Sequence, residues 1–378
     1  MNILFHYESL AIGGQQTQTL NILKEISSRG EDELFFLYNY SDDLAKEYSK
    51  YARVIKIPVR LKPKDYLKPW ILALIIYRTV KHLKENRIES VISGSGLGSF
   101  ICGIAARICG IRHYRIIGCS LVQVEKTLYK YYSTLGIDKL IDGYFGWQEV
   151  FNELKAKGVN EGKFTYTMGS VDTDFFYPFP KDEIATLRKK YNLPDNKLII
   201  GWVGRISYDM QVKYTIETCR ELIKRGFNEF HLLIVGGGKW FEEMKSMLAD
   251  YQLLDYTTCT NWVLLEDVNG LFNCMDVVPL LEEDPQGGSI MREAMACCKI
   301  ALSVNGISGT QASFMKSDAT ILVDPSSFID NAADVIIEIY KHPKNFRELG
   351  LKAREYAKED LSFGAQADII LNTIKKKN

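Results

Sequence analysis

The 378-residue chain has no net charge, since 47 Lys and Arg balance 47 Asp and Glu. Broad electrostatic binding to nucleic acid needs a strongly basic face, so it is excluded as a bulk property, although a local basic patch is not. Paired cysteines are missing too. The 8 cysteines, at 102, 109, 119, 219, 259, 274, 297 and 298, form no Cys-x-x-Cys motif, which argues against a zinc or redox centre. Their apolar surroundings mark them as small buried residues of a reducing compartment. The 5 histidines, at 6, 82, 113, 231 and 342, have no metal-ligand spacing, so no metal is expected. No apolar run approaches the ~20 residues of a membrane span, and no basic-then-apolar leader precedes the first strand-like segment. A cytosolic location follows as the expectation, with peripheral contact at the inner membrane face left open. The G-x-G-x-x-G fingerprint is lacking, so NAD binding is unsupported.

What the chain does have is a regular alternation of strand-like and helix-like segments. Asn2–His6, Leu34–Tyr38, Val54–Pro58, Glu89–Ser93, His113–Gly118 and Gly143–Gly146 read as strands. Helices are predicted over Gln15–Ser28, Pro69–Lys84, Ser99–Cys109, Val124–Tyr132 and Gln148–Lys157. Asp172–Pro180, aromatic and without periodicity, reads as a linker. A second alternating block follows, with strands at Lys197–Val203, Phe230–Val235, Asn261–Leu264, Met275–Leu281, Ile300–Val304 and Thr320–Val323. Its helices are Val212–Arg225, Lys239–Tyr251, Val268–Cys274 and 289–298, and further helices run from Phe328 onward. Such alternation predicts an α/β protein with parallel sheets covered on both faces. At this length two Rossmann-like domains are expected to face a central cleft, with ligands beyond the carboxyl ends of the strands.

The segment after Met275–Leu281 carries the most chemistry. Gly287 and Gly288 break the chain, and Ser289 opens a helix. Strand, glycine turn and helix start aim unpaired amides and the positive end of a helix dipole at one spot, which suits a phosphate. Glu293, just past the first turn, is placed to accept hydrogen bonds from sugar hydroxyls; a plain strand-to-helix connection is the competing reading. Three other loops lie at predicted strand ends. Gly13 and Gly14 permit close backbone approach to a ligand. Arg205, following Gly204, is suited to clamping a diphosphate or to a surface ion pair. Gly236, Gly237 and Gly238 indicate either close backbone packing or a loose turn. His6, at a strand end, reads as a packed residue, with a base or a polar contact as the alternatives.

Residues 60–84 set Arg60, Lys62, Lys64 and Lys68 before Trp70-Ile-Leu-Ala-Leu-Ile-Ile-Tyr77. That pattern suits contact with an anionic membrane surface. An apolar run of this length equally suits a helix buried against its own sheet, and that is the favoured expectation.

Taken in order, these loops resemble the family-4 retaining glycosyltransferases of GT-B fold. The resemblance rests on the Gly13-Gly14 turn, on Val171-Asp-Thr-Asp-Phe-Phe-Tyr-Pro178, on Gly204-Arg205-Ile206-Ser207, on Leu233-Ile-Val-Gly-Gly-Gly238 and on Arg292-Glu-Ala-Met-Ala-Cys-Cys-Lys299. It covers nearly the whole chain. It implies an acceptor-side domain at 1–175, a nucleotide-sugar domain at 176–360 and a C-terminal helix at 361–378 crossing back to the first domain. It further implies a nucleotide-diphosphate sugar donor, a UDP-sugar above others, with no added cofactor, and a glycan, lipid-linked or small-molecule acceptor. Arg205 would grip the diphosphate and Glu293 the ribose. Gly204, Gly287, Gly288 and Ser289 would hold the phosphate and sugar, and Gly13 and Gly14 would contribute from the other domain. The chain departs from the family where a Lys is replaced by Met210, a Glu by Pro285, and a His by Gly118-Cys119. Lys213, three residues past Met210, is one helical turn away and is the expected substitute; Glu282, Glu283 or Asp284 stand near the lost Glu. These departures keep two rivals in view: a sugar-nucleotide-binding subunit acting with a partner, and a sugar-nucleotide epimerase.

Overall fold

A computed structural model describes all residues except 12–13, 59–67, 95–97, 118–136, 168, 208–211, 282–287, 306–317 and 378. The predicted helix at Val124–Tyr132 lies outside the described residues. The chain divides into two compact units, Met1–Met168 with Phe363–Asn378, and Gly169–Ser362.

Among the described residues the first unit holds a seven-stranded parallel sheet in the order β3-β2-β1-β4-β5-β6-β7. Its strands are β1 (Asn2–His6), β2 (Glu33–Tyr38), β3 (Arg53–Lys56), β4 (Ser90–Ser93), β5 (Arg112–Ile116), β6 (Gly143–Gly146) and β7 (Phe164–Tyr166). Alternate side chains feed two cores. Ile3, Phe5, Leu34 and Phe36 pack with Leu23 and Ile26 of the helix Gly14–Ser28. The same cluster takes Ala367, Ile370, Leu371 and Ile374 of the helix Phe363–Lys377, so the C-terminal residues complete the core of the first unit. On the other face Leu4, Phe35, Leu37 and Val91 pack with Ile75 and Leu83 of the helix Pro69–Glu85 and with Ile101, Cys102 and Ala105 of the helix Gly98–Cys109. Burial on both faces is why these strands read as unbroken apolar runs.

The second unit holds a six-stranded parallel sheet in the order β10-β9-β8-β11-β12-β13. The strands are β8 (Leu198–Val203), β9 (Phe230–Val235), β10 (Thr257–Cys259), β11 (Val277–Leu280), β12 (Ile300–Val304) and β13 (Ile321–Val323). The strand expected at Asn261–Leu264 is in fact three residues of β10 ending at Cys259. Asn261 takes a left-handed φ of 59°, and Trp262 and Leu264 are exposed, so this apolar stretch is a surface loop.

Residues 172–180 are not a free linker. Phe176 is buried with its ring edge-on to Phe272, centroids 5.7 Å apart. The Phe179 amide donates to Asn273 Oδ1 at 2.8 Å, and Arg354 donates to the Phe176 carbonyl at 2.7 Å and to the Thr173 carbonyl at 2.9 Å. The aromatics that spoil periodicity are thus the ones that staple the segment onto the helix Leu265–Cys274.

Candidate functional site

The strand order of the second unit reverses between β8 and β11. The chain builds outward from β8 through β9 to β10, then returns to place β11 against β8, with Val277 paired to Ile200. Crevices at the carboxyl ends of two such strands are where doubly wound sheets take ligands. Gly204 and Arg205 leave β8 there, and the helix Ser289–Ala296 starts after β11.

The path of Arg205 is fixed by its neighbours. The Gly204 amide donates to the Val235 carbonyl, and the Ile206 amide to the Gly237 carbonyl, both at 3.0 Å. Ile206 is fully buried, whereas Arg205 is exposed. Two anchored residues therefore flank one whose guanidinium remains accessible. The glycines after β9 make this possible. A Cβ at Gly236 would come 2.0 Å from the Gly204 carbonyl oxygen, and one at Gly238 equally close to that of Ile206. Gly236 also takes a φ of +131°. The three glycines thus serve close backbone packing, which resolves the alternatives the sequence left open.

The helix Ser289–Ala296 begins after Gly288, with no described side chain capping it. The Arg292 amide bonds back to the Gly288 carbonyl at 3.3 Å. The amides of Ser289, Ile290 and Met291 precede the first intrahelical bond and are the natural anion donors of this end. Ser289 is exposed, and Ile290 and Met291 anchor the turn in the core. Glu293 is half-buried, but its carboxyl is desolvated, and this raises its pKa to about 7; the positive charge of Arg292 works the other way. Arg292 is itself buried, with its guanidinium pressed against Gly169, and burial lowers its pKa to about 10.

Lys213 is the second residue of the helix Val212–Lys224, and its ammonium lies 4.5 Å from the centre of the Tyr214 ring. In the first unit Gly14 opens the helix Gly14–Ser28 with nothing within 4 Å of where a Cβ would stand, so its own fold does not require glycine there. Gly13, Gly287, Met210, Pro285, Gly118, Cys119 and Glu282, Glu283 and Asp284 lie outside the described residues.

His6 is a packed residue. It is buried, its Nε2 is 3.2 Å from Asn39 Oδ1, and burial lowers its pKa to about 4, so it is neutral at physiological pH. Two features escaped the sequence reading. Glu8, two residues past β1, accepts the Gly98 amide at 2.7 Å, where the strand order of the first sheet reverses between β1 and β4. Nothing in a lone Glu after a strand signals that partner 90 residues away. Trp262, Leu264 and Leu265 are exposed together beyond β10; their apolarity was legible, but it was taken for a strand. Among the described residues no group of three His, Cys, Asp or Glu is arranged to hold a metal.

Comparison with known proteins agrees with this geometry. Residues 183–360 match the family of glycosyl transferases group 1. The chain is 21% identical over 318 residues to the alpha-D-kanosaminyltransferase of Streptomyces kanamyceticus, covering 78% of this chain and 79% of that one. It is 22% identical over 333 residues to the GDP-mannose-dependent alpha-(1-6)-phosphatidylinositol monomannoside mannosyltransferase of Mycolicibacterium smegmatis, covering 83% and 82%. The Anabaena protein HepE, solved with UDP, superposes with a TM-score of 0.80 at 13% identity over 100% of both chains. It has also been solved with UDP-glucose. Two parallel α/β sheets that superpose over the full chain on solved structures give the chain the GT-B fold, and the match to glycosyl transferases group 1 lies in residues 183–360, just under half of the chain and within the second unit.

Proposed function

We propose that this chain moves a sugar from a nucleotide-diphosphate sugar, a UDP-sugar, to a glycan, lipid-linked or small-molecule acceptor, with retention at the anomeric carbon. The observation that carries the reading is the placing of Arg205 and the start of the helix Ser289–Ala296 after adjacent strands at the sheet's switch point. The UDP and UDP-glucose complexes of HepE and the transferase relatives support it.

As the bond from the anomeric carbon to the diphosphate breaks, negative charge collects on the leaving phosphate. The Arg205 guanidinium forms paired hydrogen bonds to its oxygens. The amides at Ser289 and Ile290 add fixed dipoles that need no reorganisation at the moment of reaction. Glu293, when ionised, accepts from the ribose hydroxyls and fixes the nucleotide's register. Guanidinium and amides supply the positive charge that a metal gives in other transferases, so turnover is expected to persist in EDTA. Lys213, at the start of its helix, is the cation that replaces the family lysine lost at Met210.

The test is to incubate the purified chain with a panel of UDP-sugars and acceptors. UDP release and the product's anomeric configuration by NMR are then read. Product of inverted configuration defeats the retaining mechanism, and neither binding nor turnover of any sugar nucleotide defeats the reading as a whole.

A further inference from the structure

The helix Pro69–Glu85 has two apolar faces, and among the described residues only one is packed into the core. Ile75, Thr79 and Leu83 face the sheet and are buried. Trp70, Leu74 and Tyr77 are exposed, at 67%, 45% and 66%. At ~100° per residue these three fall in one stripe on the opposite side, which Lys81 and Lys84 continue toward the helix end. The eight-residue run expected to be wholly buried is therefore shared between core and surface. Single exposed apolar residues are ordinary, but a Trp–Leu–Tyr stripe ~10 Å long on one helix is not.

Charge says what covers it. Residues 60–84 carry seven Lys and Arg and one Asp, in a chain whose totals are equal, so the rest of the molecule has an excess of acids. Of these bases Lys68, Arg78, Lys81 and Lys84 lie on or beside the helix; Lys81 is 3.7 Å from Glu85, and Arg60, Lys62 and Lys64 lie outside the described residues. Two copies meeting through this face would set like charge against like charge. An anionic bilayer accepts both features at once. Indole and phenol rings settle at the level of the headgroups, and the ammonium groups reach lipid phosphates.

We propose that the stripe Trp70–Leu74–Tyr77, with the basic residues around it, seats the first unit on an anionic lipid surface. This is independent of the donor reading of the second unit, so either can fail alone. Each base near such a surface strengthens binding by about fivefold, and each ring that enters the interface adds roughly tenfold or more.

The full chain is sedimented with phosphatidylcholine vesicles, with and without phosphatidylglycerol. Expected is partition onto the anionic vesicles only, weakening toward ~1 M salt, where the Debye length falls to ~3 Å. Trp70→Ser with Tyr77→Ser should lower partition roughly a hundredfold, and Lys81→Gln with Lys84→Gln about twenty-fivefold. Leu351→Ser, an exposed apolar residue of the second unit, should change nothing. The lysine pair decides the matter if the aromatic pair alters the melting profile. Absence of partition by the unaltered chain, or equal partition by both pairs, overturns the proposal. So does a dimer in sedimentation velocity that dissolves with Trp70→Ser, or capture of an acidic protein in place of lipid.

Discussion

Replacing Glu293 by Gln offers a sharp test of the donor-site chemistry, because the side chain keeps its shape and loses only its charge. Desolvation raises the Glu293 pKa from 4.5 to about 7. The folded chain therefore holds this proton more tightly than the unfolded chain. For a carboxyl shifted upward, no stability is lost below pH ~4.5, stability falls as pH climbs from there to ~7, and it is level above. Keeping the carboxylate ionised at pH 8 costs on the order of 3 kcal/mol. Glu293→Gln removes that cost, so the variant should match the unaltered chain near pH 4.5 and exceed it at pH 8. At ~2–4 °C per kcal/mol the gap in melting temperature should open by about 6–12 °C. Nucleotide binding should run the opposite way. Ribose hydroxyls donate to the carboxylate, so UDP should bind the unaltered chain more tightly as pH rises through about 7, and binding to the variant should be weak and flat with pH. Differential scanning fluorimetry and calorimetric titration of UDP across pH 5–8 read both. A stability gap that is the same at every pH would refute the desolvation argument; pH-independent UDP binding by the unaltered chain would refute the ribose contact.

Three further outcomes follow from the same geometry. Arg205→Ala should weaken UDP binding by ~1.5–3 kcal/mol, the worth of a charged hydrogen-bonding group. Arg205→Lys should recover only part of this, since an ammonium cannot make the paired bonds; titration calorimetry measures both, and undiminished affinity in the Ala variant removes Arg205 from the site. Gly236→Ala forces a Cβ against the Gly204 carbonyl at a φ of +131°, and should cost about 3 kcal/mol in urea unfolding while also weakening UDP by moving Arg205. Lys213→Ala should lower turnover by ~10²-fold if its ammonium stabilises the leaving phosphate; unchanged turnover rules that role out.

Much of the secondary structure was legible because buried parallel strands and their covering helices carry dense apolar signals. Asn2–His6, Phe230–Val235 and Ile300–Val304 lie where the sequence put them. The failures share a cause. β10 (Thr257–Cys259) is a half-buried edge strand of three residues with no apolar run to announce it, and the exposed Trp262-Val-Leu-Leu265 beside it drew the assignment instead. The helix Lys181–Lys190 was missed because six of its ten residues are charged and none is fully buried. At the candidate site, the positions of Arg205 after β8 and of Ser289 at a helix start were legible because glycines and strand ends punctuate the chain there. In the first unit the contact of Glu8 with Gly98 was not legible, because only the adjacency of β1 and β4 brings the two together.

The sequence alone determined the α/β alternation, the glycine-marked strand ends and the concentration of positive charge at 60–84, since each is written in neighbouring residues. Tertiary structure decided the rest. Periodicity states which side chains of the helix Pro69–Glu85 share a face, but only packing states that Ile75 and Leu83 go inward and leave Trp70 and Tyr77 outside. Likewise a glycine run permits close approach, but only the facing carbonyls of Gly204 and Ile206 make it obligatory. The raised pKa of Glu293 comes from burial of its carboxyl, which exists only once the chain has folded.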